Sequence, residues 1–263
     1  MTIPLIVLII FVLTVIMIMS GRGGGNFYVI ALVLSGVPIH VASTTSQFIL
    51  IASALSGALI FGKARTMSLP LVLFFGGLNA AAAFVGGYQA HLFGGTALTV
   101  ALSVLLGIAG VAMFFPEQQT SKQPAHRAGY WNIEEGGTTY VVNLWLAAPL
   151  TLATGFFSGM VGISGGSFIV PLMVVGCGVP VRTAVGSATA MLAATAIAGF
   201  TGHAMHGGFD AALAIPCGIV AIVGGLIGGK FALKTKPKKL KAISGAITIV
   251  AACIMLARAL TGG

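Results

Sequence analysis

Charged residues are scarce in this chain, and acidic residues are the scarcest. Its 263 residues include 4 Asp and Glu against 13 Lys and Arg, and 6% are charged while 57% are hydrophobic. Water-soluble globular domains carry about 25% charged residues. Because so few charges cannot cover a water-facing surface, the composition excludes a soluble domain and indicates an integral membrane protein.

Cysteines are few, and the common nucleotide-binding and metal-binding motifs are missing. The three cysteines, Cys177, Cys217 and Cys253, are dispersed through apolar segments without CxxC spacing, which argues against a disulfide framework. No Walker loop, EF-hand or HExxH motif occurs. We therefore expect no cofactor and no metal, and any transport should be secondary or passive.

Long apolar runs are what the chain does contain. Two short runs, Asn26–Ser35 and Ser167–Cys177, directly follow glycine clusters and as helices would span only about half a bilayer. The first long run lacks a basic leader and a small-residue cleavage site, so it is interpreted as a membrane helix. The long runs are each near the ~20 residues needed to cross the hydrocarbon core: Ile3–Met19, His40–Phe61, Leu69–Leu92, Ala97–Phe115, Tyr140–Val161, Thr183–Met205, Ala211–Leu233 and Leu240–Leu260.

The sequence contains an internal duplication. The segment Gly21–Phe27 recurs as Gly162–Phe168, and Gly-Val-Pro follows in both places. A glycine-rich break at the same place in each half of a membrane protein is typical of transporters and points to the binding site. Beyond the prolines the halves align at a constant offset: Ala42 with Ala184, Gly57 with Gly199, Gly76 with Gly218, and Gly86-Gly87 with Gly228-Gly229.

The basic residues favour an inverted arrangement of the two halves. If all ten segments cross the membrane from an outer N-terminus, 12 of the 13 basic residues, Arg22 among them, fall inside and only Arg258 falls outside. The sequence thus predicts an all-α integral membrane fold with two inverted-topology repeats of about five segments each, residues 1–115 and 140–263, with short broken helices after the glycine-rich breaks. Residues 116–139 are predicted to form a cytoplasmic linker, and both termini to lie on the extracytoplasmic side.

The glycine breaks predict an anion site. Gly24 and Gly25 precede Asn26, and Gly165 and Gly166 precede Ser167. Glycine lets other groups approach the backbone closely, and Asn and Ser are good N-caps. Each short helix would begin at its break with free N–H groups and the positive end of its dipole, which attract anions.

A second polar constellation follows the Val-Pro of each half. Hydroxyl and carboxamide groups can bind an oxyanion, and the alternative is helix–helix packing by small polar residues. His40 and Arg182 occupy equivalent positions after the prolines as accessory charges for an anion, the alternative being an interfacial anchor. The candidate ligands of this constellation are Thr45, Ser46 and Gln47 in the first half and Ser187 and Thr189 in the second.

His203, His206 and Asp210 cluster near the end of one apolar run. Two histidines at i and i+3 with a carboxylate could bind a metal or relay protons. Without a further ligand nearby, a solvated turn is the favoured interpretation, so no metal site is predicted.

The second-half pattern is similar to a known family. Gly-x-x-Gly-Gly-x-Phe-x-x-Pro, then Gly-Val-Pro and Ala-Val-Gly-Ser, from Gly162 to Ser187, resembles the signature of the sulfite exporter TauE/SafE family. The resemblance covers essentially the whole chain apart from the linker. It implies an inner-membrane permease for sulfur-containing anions such as sulfite, sulfoacetate or related organosulfur compounds. The first half departs from the pattern at Ile30, where the second half has Pro171, at the inserted Arg22, and at Ser43–Ser46.

The predicted function is a secondary or facilitated transporter that exports such an anion. An interior-negative membrane expels anions with ~2.3 kcal/mol per charge per 100 mV. No Asp or Glu lies within the apolar runs, which disfavours a buried proton relay and a cation channel. Import of the same anions by proton symport is the alternative. The expected partners are the anion and the lipid bilayer, with no nucleic acid, and a homodimer is left open.

An intramembrane serine protease is the alternative from another class. Gly162-Ile163-Ser164-Gly165 matches a Gly-x-Ser-Gly motif, and His203 or His206 lies on a later helix. A Ser/His pair can perform acyl transfer if the two side chains meet. The first repeat, however, has Gly23 in place of Ser164, so the repeats share backbone geometry rather than a nucleophile. We therefore expect a transporter rather than an enzyme.

Overall fold

The fold is a bundle of apolar helices. The computed structural model describes residues 3–89, 100, 103–104, 107–108, 110–111, 113–114, 128–135, 138–161, 166–204 and 209–261. The helices in this part of the chain are α1 (Ile3–Met19), α2 (Gly25–Leu34), α3 (Ile39–Lys63), α4 (Leu69–Gln89), α5 (Leu144–Val161), α6 (Gly166–Pro171), α7 (Val181–Ala204), α8 (Ala211–Lys234) and α9 (Pro237–Thr261). A short π-helix, Leu172–Gly176, continues α6.

Four helices are long and apolar enough to cross a membrane, within the described residues. Their spans are Thr44–Lys63, Leu69–Gly86, Val181–Thr201 and Ala211–Lys234. Shorter apolar stretches occupy Ile3–Met19 and Leu144–Phe156. The predicted run Ala97–Phe115 lies mostly outside the described residues. The predominantly helical membrane fold is thus confirmed, whereas the predicted number of ten crossings is not established.

A β-hairpin departs from the all-α prediction. Strand β1 (Tyr130–Glu135) pairs antiparallel with β2 (Thr138–Asn143), in a register that places Tyr130 opposite Asn143. The predicted apolar run from Tyr140 therefore begins as a strand, and the helix starts only at Leu144. Aromatic and β-branched residues in this stretch favour an extended backbone. The Trp131 ring packs on Phe74 of α4, with ring centroids 5.6 Å apart.

Two of the short helical connections are capped by glycine. Gly21 (φ 73°) follows α1, and Gly36 (φ 90°) follows α2, both in the left-handed region that glycine adopts without strain. In each, the next residue donates its N–H back into the helix, from Arg22 to the Met17 carbonyl at 2.9 Å and from Val37 to the Leu32 carbonyl at 3.1 Å. These are Schellman caps, and they explain why the chain turns sharply at these glycines.

The helix boundaries repeat at the same offset that relates the two halves in sequence. Helix α3 begins at Ile39 and α7 at Val181, while α4 begins at Leu69 and α8 at Ala211. The packing follows the same correspondence: α1 packs on α8 as α5 packs on α4, and α3 packs on α8 as α7 packs on α4. Helices α3 and α7, themselves equivalent, pack on each other. The long helices of each half therefore pack mainly on long helices of the other half.

Equivalent glycines make equivalent contacts between the halves. A Cβ atom at Gly86 of α4 would overlap the Phe156 carbonyl oxygen of α5, and one at Gly228 of α8 would lie 2.5 Å from the Val15 carbonyl oxygen of α1. Small residues let membrane helices approach closely. Gly86 and Gly228 therefore serve helix packing.

Candidate functional site

The break between α1 and α2 is buried and lies against α7. Gly24 is the N-cap of α2 in a left-handed conformation, with φ 63°. A Cβ at Gly21 would lie 2.8 Å from Val185 Cα, and one at Gly23 would lie 3.2 Å from the Leu192 side chain. The residues of the break thus pack along α7 between its first and third turns. The predicted helix start after the glycines is confirmed, since α2 begins at Gly25.

The second break lies largely outside the described residues. Residues 162–165, including Gly165, are not described, and α6 begins at Gly166. The side chains of Asn26, His40 and Ser167 also lie outside what the structure describes. Their predicted roles in anion binding stay predictions.

The polar run of α3 is buried. Thr45 and Gln47 have 0% and 6% of their surface exposed, and Thr44 and Ser46 are each 1% exposed. Thr45 Oγ1 and Gln47 Oε1 make no hydrogen bond with any described residue. Buried polar atoms in proteins are nearly always hydrogen-bonded, so an orphaned pair calls for a ligand or water.

The polar residues of α7 are buried and make structural bonds. Ser187 Oγ accepts a hydrogen bond from the Ser68 N–H at 2.9 Å, and Thr189 Oγ1 donates to the Val185 carbonyl at 2.8 Å. Both side chains are 0% exposed. The packing alternative therefore accounts for at least part of the role of each.

Thr189 and Gln47 occupy equivalent places at the contact of α3 with α7. A Cβ at Gly57 of α3 would lie 3.0 Å from Thr189 Cγ2, and one at Gly199 of α7 would lie 3.3 Å from the Gln47 carboxamide. Gly57 matches Gly199, and Gln47 matches Thr189, in the alignment of the two halves. The two predicted polar clusters thus lie at opposite ends of this contact, about 15 Å apart along the helices, and each lies opposite a glycine of the other half.

Arg182 has a structural partner. Its Nη2 donates to the Thr235 carbonyl, 3.0 Å away, which closes the connection between α8 and α9. This bond favours the anchoring interpretation over a role in anion binding. Arg182 is partly buried at the start of α7.

Arg22 is placed differently from its sequence interpretation as a charge in an inner loop. Its side chain is only 2% exposed and ranks among the largest fully buried side chains of the described chain. Nη2 donates to Thr248 Oγ1 of α9, and Ser244 Oγ, one turn earlier, donates to the Ser20 carbonyl at 3.2 Å. This polar cluster was not predicted from the sequence, although Ser244 and Thr248 at i and i+4 in an apolar helix were a visible signal.

Asn79 of α4 is a second buried polar residue that was not predicted as a site residue from the sequence. It is 0% exposed, and neither atom of its carboxamide makes a hydrogen bond with a described residue. Its Oδ1 would lie 2.6 Å from a Cβ at Gly155 of α5. A single Asn within an apolar run was the available signal.

Three phenylalanines meet beside the α3–α7 crossing. The ring centroids of Phe48, Phe200 and Phe209 lie 5.6 to 6.1 Å apart. Phe48 and Phe200 directly follow Gln47 and Gly199 in sequence. Phe209 also lines a surface pocket of about 580 Å³, together with Gly36, Val37, Pro38, Val41, Asp210 and Ala211. The aromatic cluster is therefore shared by this pocket and the Gln47 end of the α3–α7 contact.

The His203–Asp210 cluster is described only at its end. Asp210 is the N-cap of α8, and its Oδ1 accepts a hydrogen bond from the Leu213 N–H at 3.2 Å. The His203 side chain and His206 lie outside the described residues. Among the residues that are described, no group of His, Cys, Asp and Glu could hold a metal ion.

These features define an α-helical membrane protein made of two similar halves with a polar interior, the construction found in secondary transporters. The chain belongs to the sulfite exporter TauE/SafE family, whose model matches residues 6–255. Because this family is one of membrane transporters, the chain is a permease and not an enzyme. The protease alternative gains no support, and its motif at Gly162–Gly165 lies outside the described residues.

Two Bacillus subtilis proteins are similar over most of their length. "Probable membrane transporter protein YunE" is 23% identical over 249 residues, covering 90% of both chains. "Probable membrane transporter protein YdhB" is 24% identical over 232 residues, covering 86% of this chain and 89% of the relative. No solved structure matches this chain.

Proposed function

We propose that the protein is a facilitated transporter that exports a small sulfur-containing anion, such as sulfite, sulfoacetate or a related organosulfur anion, across the cytoplasmic membrane. The observation that carries the location of the site is that two buried polar atoms of α3, Thr45 Oγ1 and Gln47 Oε1, have no hydrogen-bond partner among the described residues, and that the Gln47 side chain faces α7. The family membership supports the class of substrate.

The proposed site combines backbone and side-chain donors. Its backbone part consists of the helix starts at Gly24-Gly25 and Gly165-Gly166, where N–H groups and the helix dipoles favour an anion. Hydroxyl and carboxamide groups add donors without the desolvation cost of a full charge. The side-chain donors are Asn26, Thr45, Ser46, Gln47, Ser167, Ser187 and Thr189.

The two halves are proposed to run in opposite directions through the membrane, with both termini outside. The reciprocal contacts, Gly57 with Thr189 and Gly199 with Gln47, are those that a two-fold axis between the halves would produce. The basic residues of the connections then lie mainly on the cytoplasmic side.

Export follows from the direction of the membrane potential. A dianion gains ~4.6 kcal/mol on leaving an interior-negative cell at 100 mV, twice the gain of a single charge. The four acids of the chain include Glu134 and Asp210, both exposed, so a proton relay through them is not apparent. Anion flux that depends on a proton gradient would contradict facilitated export and would support import by proton symport.

The cluster of Phe48, Phe200 and Phe209 is proposed to close the route from the surface pocket to the crossing. Their counterparts in the duplicated sequence are Ala190, Ala58 and Met67. The opposite route therefore lacks an aromatic cluster, and the two mouths of the site are unequal.

The proposal can be tested by flux in proteoliposomes. Radiolabelled sulfite and sulfoacetate, with sulfate, phosphate and chloride as competitors, would be measured for the wild type and for Thr45→Val combined with Gln47→Leu. We expect the double variant to lose saturable flux of one sulfur anion. Thr195→Val is the matched control, since its hydroxyl already bonds the Met191 carbonyl at 2.7 Å.

A thermal-shift assay separates binding from transport. A ligand at about 100 times its Kd should stabilise the folded state by about 2.7 kcal/mol. Stabilisation of the wild type by a sulfur anion, absent in the double variant, would locate the site at the crossing. Flux of other solutes without any flux of sulfur anions would show that the proposed substrate class is wrong.

A further inference from the structure

Arg22 is a buried positive charge at the glycine break of the first half. Only 2% of its surface is exposed. An ionisable side chain inside a membrane protein is costly, and such residues usually mark ion or substrate pathways. Arginine remains charged in almost any environment. The burial of Arg22 therefore needs a functional explanation beyond the connection of two helices.

The depth of Arg22 can be read from its neighbours. Its flanking residues Gly21 and Gly23 pack against Val185 and Leu192 of α7. Thr189, a predicted ligand, lies between these two residues on the same helix. On the other side, Thr248 lies about three turns into α9. The guanidinium is therefore inside the bundle, and Arg22 lies at the level of Thr189, one of the proposed side-chain donors.

Arg22 is held at its backbone and at its guanidinium. Its backbone N–H donates to the Met17 carbonyl, 2.9 Å away, in the cap of α1. Thr248 gives its own hydroxyl proton to the Ser244 carbonyl at 2.7 Å, so its oxygen accepts the bond from Nη2. A charged group that is oriented before the ligand arrives binds with less loss of conformational entropy.

The second half has no equivalent charge. In the alignment of the two glycine clusters, Ile163 stands where the first half has Arg22. A positive charge required only to anchor the duplicated fold would be expected in both breaks. A single cation instead suits a site that holds one anion at a time.

We propose that the Arg22 guanidinium binds two oxygen atoms of the transported anion. This inference rests on the proposed function, and it specifies the ligand as a small oxyanion whose oxygens match the planar fork of the guanidinium, as sulfite and sulfonate oxygens do. Thr248 is a positioning residue that orients the fork. The α1–α2 break thereby supplies both backbone donors and the fixed charge.

The test uses sulfite flux in proteoliposomes of the full chain. Arg22→Gln is expected to raise the KM for sulfite about 10- to 100-fold, as loss of a hydrogen-bonded charge does. Arg22→Lys keeps the charge without the fork and should raise KM about 3- to 10-fold. Thr248→Val should have a smaller effect than Arg22→Gln, because the guanidinium stays.

Ser244→Ala is the matched control. It removes a hydrogen bond between α9 and the break, to the Ser20 carbonyl, without touching the guanidinium. Its KM should equal that of the wild type even if its melting temperature falls. If Arg22 only ties the break to α9, Arg22→Gln and Ser244→Ala would both lower the melting temperature and leave KM unchanged, and the inference would be wrong.

The remaining outcomes are also decisive. Should Arg22→Gln fail to fold, Arg22→Lys decides, since a KM within about twofold of the wild type would exclude bidentate binding by the fork. If the wild type transports sulfite and both Arg22 variants keep its KM, only this inference fails. If the wild type transports and binds none of the sulfur anions, the proposed function fails, and the inference fails with it.

Discussion

The contact between α4 and α5 gives the sharpest prediction about the fold. We expect Gly86→Ala to destabilise the protein, because the new Cβ would overlap the Phe156 carbonyl oxygen and lie 2.8 Å from the carbonyl carbon and 3.1 Å from Cα of the same residue. Backbone atoms cannot rotate away, so α5 must shift. Overpacking of this kind costs about 1–3 kcal/mol. The gain in helix propensity from Gly to Ala, about 1 kcal/mol, offsets part of it.

Gly77→Ala is the matched control for this prediction. Gly77 lies on the same helix, and its Cβ would meet nothing within 4 Å. Since the propensity gain is common to both variants, their difference isolates the packing cost of about 1–3 kcal/mol. For a chain of this size that corresponds to roughly 2–12 °C in melting temperature. The fluorescence of Trp131 and Trp145, the only tryptophans of the chain, would monitor unfolding beside α5. Equal melting temperatures for the two variants would refute the close approach of α4 and α5.

Further predictions concern a helix cap, a buried hydrogen bond, the aromatic cluster and the topology. Asp210→Ala should lower stability by about 0.5–2 kcal/mol by removing the cap of α8, whereas Asp210→Asn should retain it, as thermal unfolding would show. Ser187→Ala should cost about 1–3 kcal/mol by leaving the Ser68 N–H buried without its acceptor, measured in the same way. Phe48→Ala should raise the initial rate of anion flux by opening the route past the aromatic cluster. Finally, a C-terminal tag should be accessible to protease from outside intact cells; protection would contradict the proposed orientation.

The duplication made much of the fold predictable. The constant offset between the halves, seen first in glycines, also relates the starts of α3 and α7 and of α4 and α8, because the same turn chemistry recurs in both halves. The apolar runs located the long helices to within a few residues. By contrast, the hairpin at Tyr130–Asn143 was not predicted, since its first strand falls in the polar segment predicted as a linker and its second strand runs into an apolar run that also reads as helix.

The candidate site was predictable in part. The polar residues of α3 and α7 stood out in sequence, and the structure places Gln47 and Thr189 at equivalent positions, each facing a glycine of the other helix. The position of Arg22 was not predictable, because a lone charge among glycines is typical of a solvated loop. Its burial depends on α9, whose Thr248 comes more than two hundred residues later in the chain. Ser244 and Thr248 stood out as polar residues one turn apart in an apolar run, but nothing local in the sequence paired them with Arg22.

The exchanged packing of the two halves also has a consequence for assembly. Helix α1 is synthesised well before α8, the helix on which it packs. Its polar side chains do not need α8 as a partner in the meantime, because the Thr14 and Ser20 hydroxyls donate hydrogen bonds to the Ile10 and Met17 carbonyls, at 2.7 and 2.8 Å. Helix α5, in contrast, finds α4 already in place. The helices of the first half therefore reach their final packing only when the second half has been synthesised. We expect that neither half folds stably when it is expressed by itself.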